Sequence, residues 1–379
     1  MIYLDYNATT PIDKNVYKAM QPYLEMQFGN PSNSYELGQF AKKGVENARS
    51  QVADLIGAKT SEILFTGCGS ESNNMVVKGV AYTYKSKGRH IVTSCIEHPA
   101  ILAPLAFLEK NGYEVTYLPV NEKGLVNPED LRKAIRKDTI LVTVMHSNNE
   151  VGTLQPIQEL GKICREKDVL FHTDASQSLG KVEIDVSKLP IDFLTIAGHK
   201  LYAPKGIGAL YIRGGLEIEP LLHGASQESG RRAGTENVPY AVALGEAAVQ
   251  AKEHLKKDEL LQIREYFYNT LKEAFGDRIH LNGDGVNRLP NTLNVSFIGS
   301  IGGDILAALP EICASTGSAC HSGSKTISPV LAAMGVEEKI ALGAIRFSVG
   351  RYTTKFEIDQ AVNQLIMYFE AFRNHNSIS

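Results

Sequence analysis

Between about residues 60 and 215, short runs rich in β-branched and aromatic residues alternate with longer stretches in which apolar positions recur every three or four residues. That alternation predicts strands followed by helices, the signature of a mainly parallel sheet with helices on its faces. The predicted strands are 62–66, 90–95, 114–119, 140–146, 170–174, 193–197 and 207–212. Several are almost continuously apolar, as expected of strands buried on both faces. The predicted helices between them are 70–87, 99–111, 128–137 and 157–167, two of them opened by proline near the first turn.

After a glycine-rich stretch at 224–234, residues 238–275 read as one long connecting helix, rich in Ala, Leu, Glu and Lys. Strands near 278–281, 291–297 and 345–349, interleaved with helices, predict a smaller α+β unit that the first fifteen or so residues join. The expected fold class is therefore α/β, a large domain with a mainly parallel seven-stranded sheet plus a smaller α+β domain. The expected division is 15–250 for the large domain and 1–14 with 251–379 for the small one. The chain shows no internal repeat or low-complexity tract.

Composition narrows the class without naming a chemistry. A hydrophobic share of 43%, a charged share of 21% and a formal net charge of -3 describe an ordinary globular protein with no general attraction for nucleic acid or anionic lipid. The N-terminal MIYLDYNATTP has neither a basic nor an apolar leader region, and no apolar run is long enough to span a bilayer, so a cytoplasmic protein is expected. The five cysteines are scattered and odd in number, which disfavours a disulfide framework, and no Cys/His clustering predicts a metal site. A special cysteine in this chain is more readily reactive than structural.

Ligands of open α/β sheets gather beyond the C-terminal strand ends, so the polar residues there are the candidates: 67–72, Glu97 and His98, 147–150, Asp174 and Gln177, and 198–200. Gly67-Cys68-Gly69-Ser70, between a strand and a helix, fits a phosphate cup, and fits equally a tight turn with Ser70 as helix cap. It lacks the spacings of dinucleotide and nucleoside triphosphate loops. Asp174 would bring a carboxylate to a buried strand end, where it needs a partner. Lys200 would face the same cleft, and desolvation near positive charge favours the neutral amine that forms a Schiff base. His98 could stack on a flat ring and move protons, or simply cap the helix that begins at Pro99.

Ten ordered segments, LDYNATTP, FGNPSNSYELG, FTGCGSESNN, SCIEHPA, MHSNNEVGTLQP, HTDASQSLGK, AGHKLYAPKGIGALYIR, RRAGTENV, STGSACHSGS and IRFSVGR, resemble the cysteine desulfurases of the class V aminotransferase family, pyridoxal-phosphate enzymes of fold type I. The resemblance implies that Lys200 carries pyridoxal 5'-phosphate covalently, Asp174 pairs with the ring nitrogen and His98 stacks on the ring. Gln177 and Asn149 would contact its phenolic-oxygen side. Phosphate contacts would come from Gly69, Ser70 and His199, with Thr235 reaching in from the other subunit of a homodimer. Arg346 would bind the carboxylate of L-cysteine as a bidentate fork, with Asn149 beside it. Cys320, in a Gly/Ser-rich run, would receive the sulfur as a persulfide and pass it to an acceptor such as an iron–sulfur scaffold protein.

Two positions depart from the family pattern: Ala197, where many relatives carry Ser or Thr, and Tyr35, where relatives carry His. The chain also ends soon after its last predicted helix, without the longer tail with which some relatives dock a scaffold. The same residues suit a selenocysteine lyase, which need not use Cys320. An aminotransferase of the same fold is disfavoured by the Cys320 run, and a cofactor-free sulfur carrier would have no use for Lys200 and Asp174.

Overall fold

In the computed structural model, which describes residues 1–316 and 327–376, seven strands form the central sheet. Their order is Ile63–Thr66, Gly208–Ile212, Phe193–Ala197, Leu170–Asp174, Thr139–Thr143, His90–Ser94 and Glu114–Leu118. Gly208–Ile212 runs antiparallel to both neighbours and every other adjacent pair is parallel, so the other six strands end at one common edge. Side chains alternate along these strands. Val92, Val142 and Leu194 enter one buried cluster, while Ile91, Leu141 and Phe193 enter the cluster on the opposite face.

The observed strands and helices of this layer lie close to the predicted ones. The predicted 140–146 strand stops at Thr143, although the N–H groups of Val144 and His146 still donate to the carbonyls of His172 and Asp174. The single helix predicted over 238–275 is instead two, Val238–His254 and Glu259–Phe275. The first buries Leu244, Ala247, Ala248 and Ala251 in the core of the large sheet, whereas the second buries Phe267, Leu271 and Phe275 in a separate core. One straight helix cannot present its apolar face to two cores, and the polar stretch Lys256-Lys257-Asp258 is where the chain turns, with the Lys257 N–H donating to the His254 carbonyl at 3.0 Å.

The Glu36–Ile56 helix is absent from the sequence expectations. Its buried positions Gly38, Ala41, Val45, Ala48, Val52 and Leu55 keep a three-four spacing, but glycine and alanine make that stripe faint. They also make it close: a Cβ at Gly245 would lie 2.6 Å from Ala48 Cα, so the Val238–His254 helix seats against it at a separation that only glycine permits.

The second core belongs to the antiparallel strands Ala344–Ser348, Thr292–Phe297 and Ile279–Leu281, covered by Glu259–Phe275 and the Lys355–Asn376 helix. Ile2–Tyr3 pairs in parallel with Ile312–Cys313, and Ile2 and Leu4 are buried in this same core. Among the described residues no helix is long and apolar enough to cross a membrane.

Candidate functional site

A cavity of about 340 Å³ opens at the common C-terminal edge of the strands, lined by Gly69, Ser70, His98, Asn149, Asp174, Gln177, His199 and Lys200, together with Cys68, Asn73 and Ala197. These residues follow five different strands, so the parallel topology itself draws them together. The Gly69–Thr83 helix begins at the cavity with Cys68 as its N-cap residue and no side-chain cap. Ser70 therefore lies inside the first turn rather than capping it, and the first-turn N–H groups, where the positive end of the helix dipole sits, belong to a wall of the cavity. A Cβ at Gly69 would come within 3.2 Å of both Ala197 Cβ and Ser176 Oγ, which marks a narrow cradle.

Asp174 is buried at the end of its strand with both carboxylate oxygens held: Oδ2 accepts from Asn73 Nδ2 at 2.7 Å and Oδ1 from the Ser176 N–H at 2.9 Å. An oxygen facing the carboxylate would repel it, so the Asn73 amide orientation is fixed, and its Oδ1 is buried with no partner among the described residues. Lys200 donates from Nζ to the Ala8 carbonyl at 3.0 Å and to the Asn7 carbonyl. Burial, and then the positive charge of Arg346, lower its ammonium to about 8, against the opposing pull of Asp174 and Asp5. Burial likewise lowers the His98 imidazole. His98 Nδ1 accepts from the Ala100 N–H at 3.1 Å, so the neutral ring carries its proton on Nε2. The helix-capping reading and the cavity-lining reading of His98 therefore hold together. Burial, with Lys200, Lys205 and Lys181 nearby, drives His199 to about 4.

Asn7, in the LDYNATTP segment, joins the segments around the cavity, and no strand or helix period marks it. Its main-chain carbonyl accepts from Lys200 and from Gln177 Nε2 at 2.9 Å, while its Nδ2 donates to the Asn149 carbonyl at 3.2 Å and to Thr292 Oγ1 at 2.8 Å. The same Asn149 carbonyl accepts from Arg346 Nη1 at 3.1 Å. Arg346 does not line the cavity. It sits one hydrogen bond behind Asn149, with Nη2 on Asp5 Oδ1 at 2.7 Å and Nε without an acceptor among the described residues. Burial raises the Asp5 carboxyl despite the opposing charge of Arg346.

One further expected residue is not in the cavity, and another is not among the described residues. Thr235 lines a separate one of about 180 Å³ with Gly67, Arg232 and Glu236. Cys320 lies outside the described residues, but its flanks are anchored at the site. Ser315 exchanges both main-chain hydrogen bonds with Arg346, and Ser328 Oγ donates to Glu150, the residue after Asn149. Of the two departures, Ala197 is buried in the cavity wall and Tyr35 is exposed, its hydroxyl accepting from Asn33 Nδ2.

A larger cavity of about 620 Å³ contains none of these residues and lies against Arg49 and Glu228. Glu228 and Ser229 both have left-handed backbones, with φ of 49° and 58°. The strain is held by the Arg49 guanidinium, which donates to both Glu228 oxygens at 2.6 and 2.9 Å, and by the Phe65 N–H. A few residues on, Arg232 Nε donates to Glu71 Oε1 at 2.9 Å, and Glu71 accepts from the Gly67 N–H, which ties the 231–235 segment to the turn beside the cavity.

The chain matches the aminotransferase class-V family model over residues 2–361. It is 49% identical over 376 residues to the cysteine desulfurase IscS of Dictyoglomus turgidum, covering 98% of this chain and 95% of that relative. Among solved structures it is similar to a NifS-like protein, with a TM-score of 0.91 at 37% identity over 97% of this chain and 99% of the other. It is also similar to SspA in complex with cysteine, with a TM-score of 0.84 at 39% identity over 93% and 100% of the two chains. The chain thus belongs to the aminotransferase class-V family and, within it, to the cysteine desulfurases.

Proposed function

We propose that the chain is a cytoplasmic cysteine desulfurase that binds pyridoxal 5'-phosphate in the 340 Å³ cavity and converts L-cysteine to L-alanine, leaving the sulfur on Cys320. One observation carries the reading: a lysine brought close to neutrality, an anchored carboxylate and an uncapped helix N-terminus line the same cavity. This donor set fits the cofactor. Lys200 would hold its aldehyde carbon, Asp174 its ring nitrogen, and the first turn of Gly69–Thr83 with Ser70 and His199 its phosphate. When bound, the cofactor supplies an electron sink for charge developing on the substrate carbons.

The protein's own groups do the rest. Lys200 Nζ, near 8, can both hold and release a proton at neutral pH, and His98 offers a proton on Nε2 at the cavity wall. Arg346, exchanging Asp5 or the Asn149 carbonyl for the substrate, would grip the α-carboxylate and keep the amino acid in one orientation. The balance needs no external oxidant. The cysteine C–S bond breaks, an S–S bond to Cys320 forms, the two sulfurs are oxidised to the persulfide level, and the carbon is reduced to a methyl group by gaining a proton and the bonding pair.

Names of relatives favour desulfuration over selenocysteine cleavage. The position of Thr235, away from its own chain's Lys200 cavity, supports a homodimer in which it serves the neighbouring copy. Delivery to an iron–sulfur scaffold or another acceptor protein, and a large unit of 15–250 with a small unit of 1–14 and 251–379, complete the reading. The test is alanine release from L-cysteine and, separately, L-selenocysteine with a thiol reductant, for the native chain and Cys320→Ala. Cysteine turnover that vanishes in the variant is expected; turnover of selenocysteine alone, retained in the variant, would replace the reading with a lyase.

A further inference from the structure

Gln177 is the cavity residue whose orientation matters most, because its amide can offer either an N–H donor or a carbonyl acceptor at the same place. Its Nε2 donates to the Asn7 carbonyl at 2.9 Å, and its Oε1 accepts from Lys181 Nζ at 3.1 Å. The same Nζ stands 3.4 Å from Asn7 Oδ1, which also accepts from Asn291 Nδ2 at 2.9 Å. Lys181 also lines a small gap with Asn291, Tyr202 and Arg351, and Lys200 lines both this gap and the main cavity. The two lysines thus approach Asn7 separately, one on its main-chain oxygen and the other on its side-chain oxygen.

We propose that Lys181 is a positioning residue of this site: by occupying Gln177 Oε1 and Asn7 Oδ1 it holds the Gln177 amide with its NH2 group toward the cavity side and fixes the carbonyl on which Lys200 rests. The proposal rests on the cofactor reading given above. A lysine ammonium is a donor without an acceptor, so the oxygen of Gln177 must turn to it and the nitrogen must turn away. Burial and the positive charges of Lys200 and Arg346 lower Lys181 to about 7. Two acceptors need two N–H groups, and both the ammonium and the neutral amine supply them, so the clamp holds on either side of that titration.

The test uses full-length protein loaded with pyridoxal phosphate: native, Lys181→Met, Lys181→Gln, Gln177→Met and the Lys181→Met/Gln177→Met pair. Cofactor affinity is read by titrating apo-protein, and the pH midpoint of the bound cofactor's visible absorbance is read alongside. Lys181→Met should weaken cofactor binding roughly threefold to tenfold, the worth of one hydrogen bond, and raise the absorbance midpoint, because the donor that favours the ionised phenolic oxygen is no longer held. Lys181→Gln, which keeps a donor, should restore both, and Lys181→Met should cost less in the Gln177→Met background than in the native one, where only its contact with Asn7 is left to lose. Should Lys181→Met not fold, Lys181→Thr, too short to reach Gln177, takes its place with the same expectation. Equal affinity and midpoint in the native and Met chains, or additive losses in the pair, would overturn the role of Lys181. A native chain that develops no visible band, indistinguishable from Lys200→Ala, would overturn the cofactor reading and this role with it.

Discussion

Holding Lys200 near neutrality has a cost that can be measured without any turnover. A lysine whose folded pKa is about 8, against an ordinary 10.5, binds fewer protons in the folded chain than in the unfolded one between those values, so native stability rises with pH across that window. Below pH 8 the penalty is felt in full, about 3 kcal/mol at 1.36 kcal/mol per pKa unit. At pH 9.5 about 1 kcal/mol of it remains, by the same relation. Lys200→Met removes the ammonium, and with it the bonds to the Asn7 and Ala8 carbonyls, a loss that does not depend on pH in this range. The stability of apo Lys200→Met relative to the apo native chain should therefore be greater at pH 7 than at pH 9.5, by about 2 kcal/mol. Urea unfolding followed by far-ultraviolet circular dichroism at the two pH values measures this difference. Equal differences at both values, or one that grows with pH, would refute the claim that the fold itself holds Lys200 below its ordinary ionisation.

Two other groups make separable predictions. Arg49→Met takes both guanidinium bonds from the buried Glu228 carboxylate, leaving it the Phe65 N–H, and should cost about 3–5 kcal/mol, most of it regained in Arg49→Met/Glu228→Met, as judged by denaturant unfolding. Burial raises the Glu97 carboxyl to about 8, so the folded chain binds more protons than the unfolded one between roughly 4.5 and 8, and native stability falls as pH rises through that range. Glu97→Gln should gain on the native chain in thermal unfolding between pH 5 and pH 8, and parallel curves would count against a neutral buried Glu97.

What the sequence made legible was whatever depends on neighbours in the chain. Strand periods located Asp174 and Lys200 at strand ends, and the parallel order then collected them, because one sheet edge is where consecutive βα turns must lie. The 238–275 stretch failed for the complementary reason: its composition is helical throughout, and only the two cores it serves reveal the break. Glu36–Ile56 is hidden by the small residues that let it pack closely. Asn7, Lys181 and the pairing of Arg49 with Glu228 leave no periodic trace, since their partners stand as much as 341 residues away and each is an ordinary polar residue until the chain closes around it.

The N-terminal strap also sets a clock. Asn7 meets Ser348 through its own N–H, 341 residues along the chain, and Ile2–Tyr3 has no strand partner until Ile312–Cys313 has been made. At roughly 5–20 residues per second, about 20–70 s of synthesis separate the appearance of Asn7 from that of its last partner. The large sheet has all seven strands by Ile212, so it can collapse while the carbonyl that receives Lys200 is still unanchored. A nascent chain therefore carries Lys200 in an unfinished pocket, and the cavity is complete only when the last strand closes on the first residues.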